Sequence, residues 1–506
     1  MPRRITLLLF LALGMAGSAR AQAPVTDPWA ADLDAFIRRG TAEWSIPGLA
    51  VAVVRNDSVV FLRGYGVREL GQPGTVGPRT LFGIMSTTKA MTAAALAMLV
   101  DDGTLAWDDP VTRWVPEFQM PDPYVTASLR VVDLLTHNAG LGNADLLWSR
   151  GDISRAEIFR RLRLLTPEYP LRGGFVYQNV MYGLAGEVVA RASGMRYEEF
   201  LRRRLFNPLG MTRSYGSLAA MEAATDPDRS VPHYRIRDTI RVIGEDNVDV
   251  VGSAGAVWST AEDMAVWVRF LLAGGRTAGG RRLLGEASVA TLFDPHAIIP
   301  PAQYYPTATL TRPHWRTYGL GWFEQDYRGE FVAFHTGSLA GRTAIVGLLP
   351  GRNTGVVVLG NLDHAEFRHA LMLKVFDLAI GGPPRDWNRE LLSLYAERRS
   401  ASADPVADRV PGTRPSLPLD AYAGRYAHPV WGDAVITRES EGLSLRMGAS
   451  PDLAGPLEHL HYDTFLARLG DGRDAPPRVV FVLDPDGGVA ELRVPEYGLE
   501  GFRRQP

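Results

Sequence analysis

Apolar residues near the start of the chain form two short runs on either side of a turn. The runs at 50–54 and 59–65 flank Arg55-Asn56-Asp57, and apolar runs around such polar residues are typical of a β-hairpin. An amphipathic pattern over 28–48 precedes them and predicts a helix. The folded part of the chain is therefore expected to open with a helix and two antiparallel strands.

A second group of apolar runs lies much later, at 331–334, 343–349 and 355–360, with turns that contain Gly and Pro between them. These runs predict three consecutive antiparallel strands, and the pattern over 364–379 predicts a closing helix. The region from about 80 to 325 is rich in helical periods. We therefore expect an α/β fold. A five-stranded antiparallel sheet flanked by helices would carry an inserted, mainly helical lobe, with a cleft between the lobes.

The pattern changes after residue 380, so the first domain is expected to span 28–380. Residues 381–415 include a stretch rich in Pro, Ala and Asp, which predicts a linker. Beyond it, over 416–506, short apolar runs alternate with tight turns such as the one at 484–488. This pattern predicts a separate all-β domain, either a small barrel or a meander.

The first residues have the three parts of an export signal. Arg3 and Arg4 are followed by an apolar run at 5–15 and by Ala19-Arg20-Ala21, which has small residues where a signal peptidase cuts. The apolar run is shorter than the ~20 residues that a membrane-spanning helix needs. We therefore expect a signal peptide over 1–21, a periplasmic or secreted protein, and no transmembrane anchor after signal removal.

Composition excludes several classes of protein. Apolar residues make up 46% of the chain and charged residues 22%, as in a globular protein. The net charge is −2, so we expect no nucleic-acid partner, because binding phosphates needs a basic surface. The absence of cysteine excludes disulfides, a thiol nucleophile and metals held by cysteine. No H-E-x-x-H motif occurs, so neither a metal nor another cofactor is expected.

One lysine lies where it could act as the base for a serine nucleophile in acyl transfer. Of the 54 basic residues, only Lys89 and Lys374 are lysines. Lys89 follows Ser86 by three residues, at the start of an Ala-, Leu- and Met-rich segment that predicts a buried helix with both side chains on one face. A serine hydroxyl needs a neighbouring base, and a buried lysine can lose its proton whereas arginine cannot. Ser86 is therefore a candidate nucleophile, although an ordinary helix lysine would give the same spacing.

Two later segments carry further candidate groups. Tyr177 could relay protons, and the amide of Asn179 could hold the lysine or a substrate carbonyl. The segment His335-Thr336-Gly337-Ser338 ends a predicted strand, where the glycine lets a substrate approach the backbone closely. The N–H groups of Ser86 and Ser338 could then form an oxyanion hole. Taken alone, a Tyr-x-Asn tripeptide usually arises by chance, and the segment at 335–338 is better explained as a turn at the end of a strand.

Taken together, the three motifs resemble those of the penicillin-recognising serine hydrolases. Ser-x-x-Lys at 86–89, Tyr-x-Asn at 177–179 and His-Thr-Gly at 335–337 occur in the family's order. The family includes class C β-lactamases, D-Ala-D-Ala carboxypeptidases, D-aminopeptidases and related esterases. The likeness covers about 30 to 380, and the tail resembles a lipocalin-like domain that follows such catalytic domains.

The resemblance implies a role for each motif. Ser86 would be the nucleophile that forms an acyl-enzyme, and Lys89 would accept or relay its proton. Tyr177 would be the partner base and would return a proton to the leaving group. Asn179 would position the substrate amide, and the strand at 335–338 would lie along the bound substrate.

The third motif departs from the family pattern. It begins with His335, where the β-lactamases usually have a lysine whose fixed charge faces a substrate carboxylate. The ordinary pKa of histidine, about 6.5, leaves that charge open. Arg342 could supply it, but we expect a solvated surface residue because most arginines are exposed. Thr260 and Asp263 are expected to cap a helix rather than to act in catalysis.

These observations predict an exported serine hydrolase that acts on a small peptide, amide or ester substrate. The departure at His335 favours a peptidase or an esterase over β-lactam turnover. Between these two we expect peptidase-like cleavage of D-amino-acid peptides or cell-wall fragments, because the tail domain accompanies such relatives, and this preference rests on the resemblance. A carboxylesterase, a class C-like β-lactamase and a non-catalytic binding or scaffold protein of the same fold are the alternatives. The β pattern of the tail is also compatible with a homo-oligomer.

Overall fold

The computed structural model describes residues 29–400 and 406–506, and the predicted signal peptide at 1–21 lies outside them. The helices are α1 (Ala30–Glu43), α2 (Thr88–Asp101), α3 (Val111–Trp114), α4 (Pro123–Ser128), α5 (Asp145–Ser149), α6 (Arg155–Leu162), α7 (Asn179–Ser193), α8 (Tyr197–Phe200), α9 (Asn207–Leu209), α10 (Leu218–Ala223), α11 (Gly252–Gly255), α12 (Ala261–Leu272), α13 (Glu286–Leu292), α14 (Ala308–Thr311), α15 (Phe367–Ile380) and α16 (Trp387–Ser400). Within these described ranges, no helix has both the length and the apolar character that crossing a bilayer requires.

The strands of the first domain are β1 (Gly48–Arg55), β2 (Ser58–Gly66), β3 (Phe82–Gly83), β4 (His233–Ile236), β5 (Thr239–Val242), β6 (Trp258–Ser259), β7 (Ala297–Ile298), β8 (Arg316–Tyr318), β9 (Phe323–Tyr327), β10 (Glu330–Leu339), β11 (Arg342–Leu349) and β12 (Thr354–Gly360). Eight of them form one antiparallel sheet in the order β2-β1-β12-β11-β10-β9-β8-β7. Its register places Val53 opposite Val356 and His335 opposite Val346.

The sheet confirms the predicted α/β fold but has more strands than expected. The five predicted strands are present and adjacent, as β2, β1, β12, β11 and β10. The predicted count of five is wrong because β7, β8 and β9 extend the sheet, largely from the region that was expected to be helical. These strands have only two to five residues, so an alternating pattern could not stand out in the sequence.

Helices cover both faces of the central strands. Along β1, Ala50 and Ala52 pack on the side of α2 and α12, whereas Leu49 and Val51 pack on the side of α1 and α15. This burial on two sides explains why β1, β11 and β12 are continuous apolar runs rather than alternating ones. The helix α2 is buried along nearly its whole length, as predicted, and its first turn is therefore held firmly between neighbours.

The structure differs from the predicted linker over 381–415. The helix α16 occupies 387–400 and buries Trp387 and Leu391. The indole of Trp387 donates a hydrogen bond of 2.7 Å to the carboxylate of Asp377 in α15. Because Trp387 and Leu391 of α16 are buried, the first domain extends beyond residue 380, where the sequence pattern suggested that it ended.

The second domain is a closed barrel of eight antiparallel strands. The strands are β13 (Gly424–His428), β14 (Gly432–Glu439), β15 (Gly442–Met447), β16 (Ala454–His461), β17 (Thr464–Ala467), β18 (Arg478–Leu483), β19 (Val489–Val494) and β20 (Leu499–Arg504). Each strand pairs with the next, and β13 closes on β20. Large side chains fill the interior, among them Tyr426, Phe465, Phe481 and Phe502, as expected for eight strands. The predicted barrel is thus confirmed, and its lipocalin-like character stays a prediction.

The barrel is attached to the first domain by packing and by hydrogen bonds. Val430 of the barrel is buried in the core of the first domain. The guanidinium of Arg150 donates to the carbonyl of Asp433 over 3.1 Å. The carbonyl of Arg150 in turn accepts from the N–H groups of Ala449 and Ser450, each over 2.9 Å. These contacts fix one end of the barrel beside the cleft of the first domain.

Candidate active site

The Ser86 hydroxyl and the Lys89 amine are neighbours at the start of α2. Ser86 lies in a short 3-10 turn, Met85–Thr87, that runs directly into α2. Lys89 is fully buried, whereas Ser86 is partly exposed at the cleft. The Lys89 Nζ atom lies 2.9 Å from the Ser86 Oγ atom. The structure thus brings together the pair that the sequence spacing suggested.

Close packing holds the turn that presents Ser86. Met85 has a φ of +45°, a left-handed conformation that costs a residue other than glycine about 1–2 kcal/mol. The strand β10 lies against this turn at Gly337, where an added Cβ would be 2.4 Å from the carbonyl oxygen of Ile84. Only glycine at 337 therefore lets the strand of the third motif lie this close to the serine.

Burial makes Lys89 a base near neutral pH. Its amine also lies 2.8 Å from the Asn179 Oδ1 atom and 2.8 Å from the carbonyl oxygen of Ala254. Burial lowers the pKa of Lys89 to about 7, against an opposing effect of the Asp145 carboxylate. An amine with this pKa is partly unprotonated at neutral pH, and it can accept the proton of Ser86.

The phenol of Tyr177 lies beside the same pair and keeps its proton. The Lys89 amine is 4.7 Å from the centre of the Tyr177 ring. Burial raises the pKa of Tyr177 well above its ordinary value of 10, and hydrogen bonding with Ser86 only partly opposes this. Tyr177 is therefore neutral at physiological pH, and Lys89 rather than Tyr177 has the pKa of a general base.

Asn179 links Lys89 to a carboxylate that the sequence analysis missed. Its amide oxygen accepts from Lys89, and its amide nitrogen donates to both oxygens of Asp145 over 3.1 and 3.0 Å. The Trp148 indole also donates to Asp145, over 2.8 Å. Both ends of the Asn179 side chain are thus engaged within the protein, and its evident task is to orient Lys89. Asp145 belongs to no motif, and only the folded chain brings it near Asn179.

His335 is buried and uncharged. Its Nδ1 donates to the carbonyl of Thr336 over 2.6 Å, which leaves Nε2 to accept from the Tyr318 hydroxyl over 2.9 Å. Burial, and next the neighbouring Lys89, lower the pKa of His335 to about 3. The first residue of the third motif therefore carries no positive charge toward a substrate carboxylate.

The rest of the third motif is supported from behind by a buried ion pair. Arg368 donates to the carbonyl of Gly337 and, over 2.8 Å, to the Ser338 hydroxyl. The same guanidinium pairs with the buried carboxylate of Glu366 over 2.9 Å. The hydroxyl of Thr336 lies 2.6 Å from that of Tyr305. The sequence did not reveal the ion pair between Arg368 and Glu366, which fixes the end of β10 that faces Ser86.

Arg342 is not the solvated residue that the sequence analysis expected. It is almost completely buried, pairs with the carboxylate of Glu245 and donates to the carbonyl of Ser230 over 2.8 Å. Its guanidinium also lies 4.5 Å from the centre of the Trp258 ring. The expectation was wrong because a guanidinium can be buried once its donors and its charge are satisfied. Since Glu245 neutralises it, Arg342 does not replace the charge that His335 lacks.

A second histidine beside the site, His137, was not identified from the sequence. His137 lies 4.2 Å from the Tyr177 ring and 4.6 Å from the Tyr318 ring, measured between ring centres. Its Nδ1 accepts from the N–H of Gln178 over 3.0 Å. Burial, followed by the effect of Lys89, lowers the pKa of His137 well below its ordinary value. This neutral ring packs against Tyr177 and helps to fix its position.

Thr260 and Asp263 have the structural role that the sequence predicted. The Thr260 hydroxyl accepts from the N–H of Asp263 over 3.1 Å at the start of α12, which confirms the predicted helix cap. Across 29–400 and 406–506, no cluster of three or more His, Asp or Glu side chains is arranged to hold a metal ion.

The fold and the serine–lysine pair define a class of protein, the penicillin-recognising serine hydrolases. The sequence model of the Beta-lactamase family matches residues 33–378, so the chain belongs to this family. The family resemblance expected from the three motifs is thereby confirmed. A second model, a domain of unknown function named DUF3471, matches residues 408–504, which include the barrel.

Two relatives are similar in sequence to this chain over most of its length. Unguisins hydrolase ungD of Aspergillus violaceofuscus is 29% identical over 91% of this chain and 87% of that protein. Protein flp of Staphylococcus aureus is 24% identical over 65% of this chain and 63% of that protein.

Solved structures share the fold. The octameric penicillin-binding protein homologue from Pyrococcus abyssi has a TM-score of 0.61 and 22% identity, over 94% of this chain and 99% of that chain. SurE has a TM-score of 0.54 and 22% identity over the same shares of the two chains. A class C beta lactamase from Rhodobacter sphaeroides has a TM-score of 0.53 and 20% identity, over 72% of this chain and 99% of that chain.

Proposed function

We propose that this protein is an exported serine hydrolase that cleaves amide bonds in peptides through an acyl-enzyme on Ser86. The observation that carries the proposal is the 2.9 Å contact between the Ser86 hydroxyl and the Lys89 amine. With its pKa lowered to about 7 by burial, that amine can take the serine proton without a large cost.

The residues at the site allow a balanced reaction sequence. Lys89 removes the proton of Ser86 while the serine oxygen bonds to the substrate carbonyl carbon. Backbone N–H groups of Ser86 and Ser338 stabilise the resulting oxyanion. The carbon–nitrogen bond then breaks, Tyr177 gives its proton to the departing nitrogen, and the Lys89 ammonium returns a proton to Tyr177. Water then adds to the acyl carbon while Lys89 takes its proton, the carbon–oxygen bond of the ester breaks, and the Lys89 ammonium gives that proton to the serine oxygen.

The charges around the third motif favour peptides over β-lactams. A β-lactam carries a carboxylate, and the neutral His335 offers it no positive charge. The two buried arginines nearby, Arg342 and Arg368, are already paired with Glu245 and Glu366. Among the relatives, one is named for hydrolysing unguisins and SurE has been solved with D-Leu. The first name supports hydrolysis, and the D-Leu bound to SurE supports a substrate that contains a D-amino acid.

A substrate panel tests this preference against the esterase and β-lactamase alternatives. Purified protein is assayed with D-alanyl amides, p-nitrophenyl butyrate and nitrocefin, with Ser86→Ala as the blank. We expect the highest kcat/KM for a D-alanyl amide and little turnover of nitrocefin. Higher kcat/KM for the butyrate ester would replace the peptidase by a carboxylesterase, and rapid nitrocefin hydrolysis would replace it by a β-lactamase.

Active-site labelling separates an enzyme from a non-catalytic binding or scaffold protein. A fluorophosphonate probe is expected to label the native protein and not Ser86→Ala. Lys89→Arg should abolish labelling while leaving the protein folded, because a guanidinium keeps its proton. A scaffold that merely kept the fold would stay unlabelled in its native form, and that result would end the catalytic proposal.

We further propose that the protein acts outside the cytoplasm and assembles as a homo-oligomer. The signal pattern over 1–21 supports export, and a structural relative described as octameric supports assembly. Determining the N-terminal residue of the fractionated protein tests export, since Gln22 is expected there. Light scattering after gel filtration tests assembly, and a monomer mass would refute it.

A further inference from the structure

We propose that the barrel forms the outer wall of the active site, and that the cavity between the two domains binds the part of an extended peptide that lies beyond the bond cleaved at Ser86. This inference rests on the proposed peptidase function and gives the second domain a task, the selection of substrates by length. It follows from the sizes of two neighbouring cavities and from the residues that line them.

The space directly at the serine is small. The cavity that includes Ser86 and Asn179 has a volume of about 50 Å³, enough for one small group. It meets a second cavity at Trp148 and Leu339, which line both. The second cavity has a volume of about 720 Å³, within the range of about 300–1,000 Å³ that is typical of sites for larger ligands. A peptide that reached Ser86 would therefore leave most of its length in the second cavity.

The two domains each provide one wall of this outer cavity. The first domain contributes residues 244–247 beside Trp148, and the barrel contributes the loops 449–453 and 470–473. The lining combines apolar side chains such as Leu453 with several carboxylates and the guanidinium of one arginine. Such a mixed surface suits a peptide, which has apolar side chains along a polar backbone.

The barrel wall is a fixed structure rather than a chance contact. The N–H groups of Ala449 and Ser450 both donate to the carbonyl of Arg150 in the first domain. Arg473 ties the two barrel loops together, because its guanidinium donates to Asp452 over 2.7 Å and to Asp471 over 3.0 Å. A wall held in this way can discriminate between substrates without first having to become ordered.

Filling the cavity from the barrel side tests the proposal. Ala449 has an exposed side chain in the lining, so Ala449→Trp narrows the cavity without removing a side-chain contact. Glu441→Trp is the matched control, since Glu441 is exposed at the opposite end of β15. The full-length proteins are assayed with a D-alanyl amide and with peptides extended on either side of the same bond.

We expect the native protein to cleave an extended peptide with at least tenfold higher kcat/KM than the short amide. Ala449→Trp should remove that advantage through a higher KM and leave the short amide within twofold, and Glu441→Trp should change neither. Asp246→Phe, which narrows the cavity from the first domain, should act like Ala449→Trp. Unchanged fluorophosphonate labelling shows that each variant is folded.

Two results would contradict the inference while leaving the proposed function intact. Equal kcat/KM for short and long substrates in the native protein would mean that the outer cavity holds no substrate. Equal losses on both substrates in Ala449→Trp and Asp246→Phe would mean that these changes act on Ser86 rather than on an outer site. Failure of the proposed function has a different signature, since the native protein would then cleave no peptide of any length.

Discussion

In the proposed mechanism, Lys89 sets the pH at which Ser86 becomes reactive, and this pH can be measured without knowing the natural substrate. The drop of the Lys89 pKa from 10.5 to about 7 corresponds to about 5 kcal/mol at 1.36 kcal/mol per pKa unit, caused mainly by the loss of water around the amine. The unprotonated amine is the active form. The rate of fluorophosphonate labelling should therefore be half-maximal near pH 7 and about a tenth of its plateau at pH 6.

Replacing Asp145 tests whether the carboxylate controls this midpoint. Its negative charge raises the pKa of Lys89, and Asn179 hydrogen-bonds both groups. Two charges about 7 Å apart interact by about 2 kcal/mol at an effective dielectric constant of 20. At 1.36 kcal/mol per pKa unit this is about 1.5 units, so Asp145→Asn should move the midpoint about 1.5 pH units lower. Asp57→Asn, at an exposed carboxylate in the β1–β2 turn, should leave it unchanged.

Three outcomes would refute this reasoning. A midpoint above pH 10 in the native protein would make the phenolate of Tyr177 the base. A midpoint below pH 5 would indicate a carboxylate instead. An unshifted midpoint in folded Asp145→Asn would show that Asp145 does not act on the charge of Lys89.

Two further substitutions test the packing around the third motif. Gly337→Ala forces a Cβ to within 2.4 Å of the backbone in front of α2, so we expect at least tenfold slower labelling and a loss of about 1–3 kcal/mol in unfolding free energy. Gly77→Ala, where an added Cβ meets open space, is its control, and equal behaviour of the two would argue against a need for close approach. Glu366→Gln leaves the buried Arg368 charge without its partner and should cost about 3–5 kcal/mol in urea unfolding. Glu330→Gln removes an ion pair with a partly exposed arginine and should cost less than about 1 kcal/mol. Similar losses of unfolding free energy in the two glutamate variants would contradict the conclusion that the buried Arg368 charge depends on Glu366.

The sequence predicted those features that depend on neighbouring residues. Ser86 and Lys89 are one helical turn apart, so their contact follows from local geometry alone. The strands β1, β11 and β12 were predicted because each is a long apolar run, and those runs exist because both faces of the sheet are covered. The short strands β7, β8 and β9 leave no such trace.

The features that escaped prediction depend on residues far apart in the chain. Asp145 acts on Lys89 across 56 positions, and Arg342 finds Glu245 across 97. Such pairs form only when the fold brings separate segments together, and no local pattern distinguishes a buried arginine from a solvated one. The order of the motifs located the site, whereas its electrostatics had to come from the structure.

The short helix α5 contacts both the surroundings of Lys89 and the barrel. Near its start, Asp145 holds Asn179 against Lys89, and Trp148 lines both cavities. In the same helix, Leu146 packs against the core of the barrel, and the carbonyl of Arg150, directly after the helix, accepts hydrogen bonds from the barrel residues Ala449 and Ser450. We therefore expect a shift of the barrel to move Asp145, whose charge opposes the effect of burial on the Lys89 pKa, as well as the wall of the outer cavity. The proposed role of the second domain therefore includes holding α5 in place as well as walling the outer cavity.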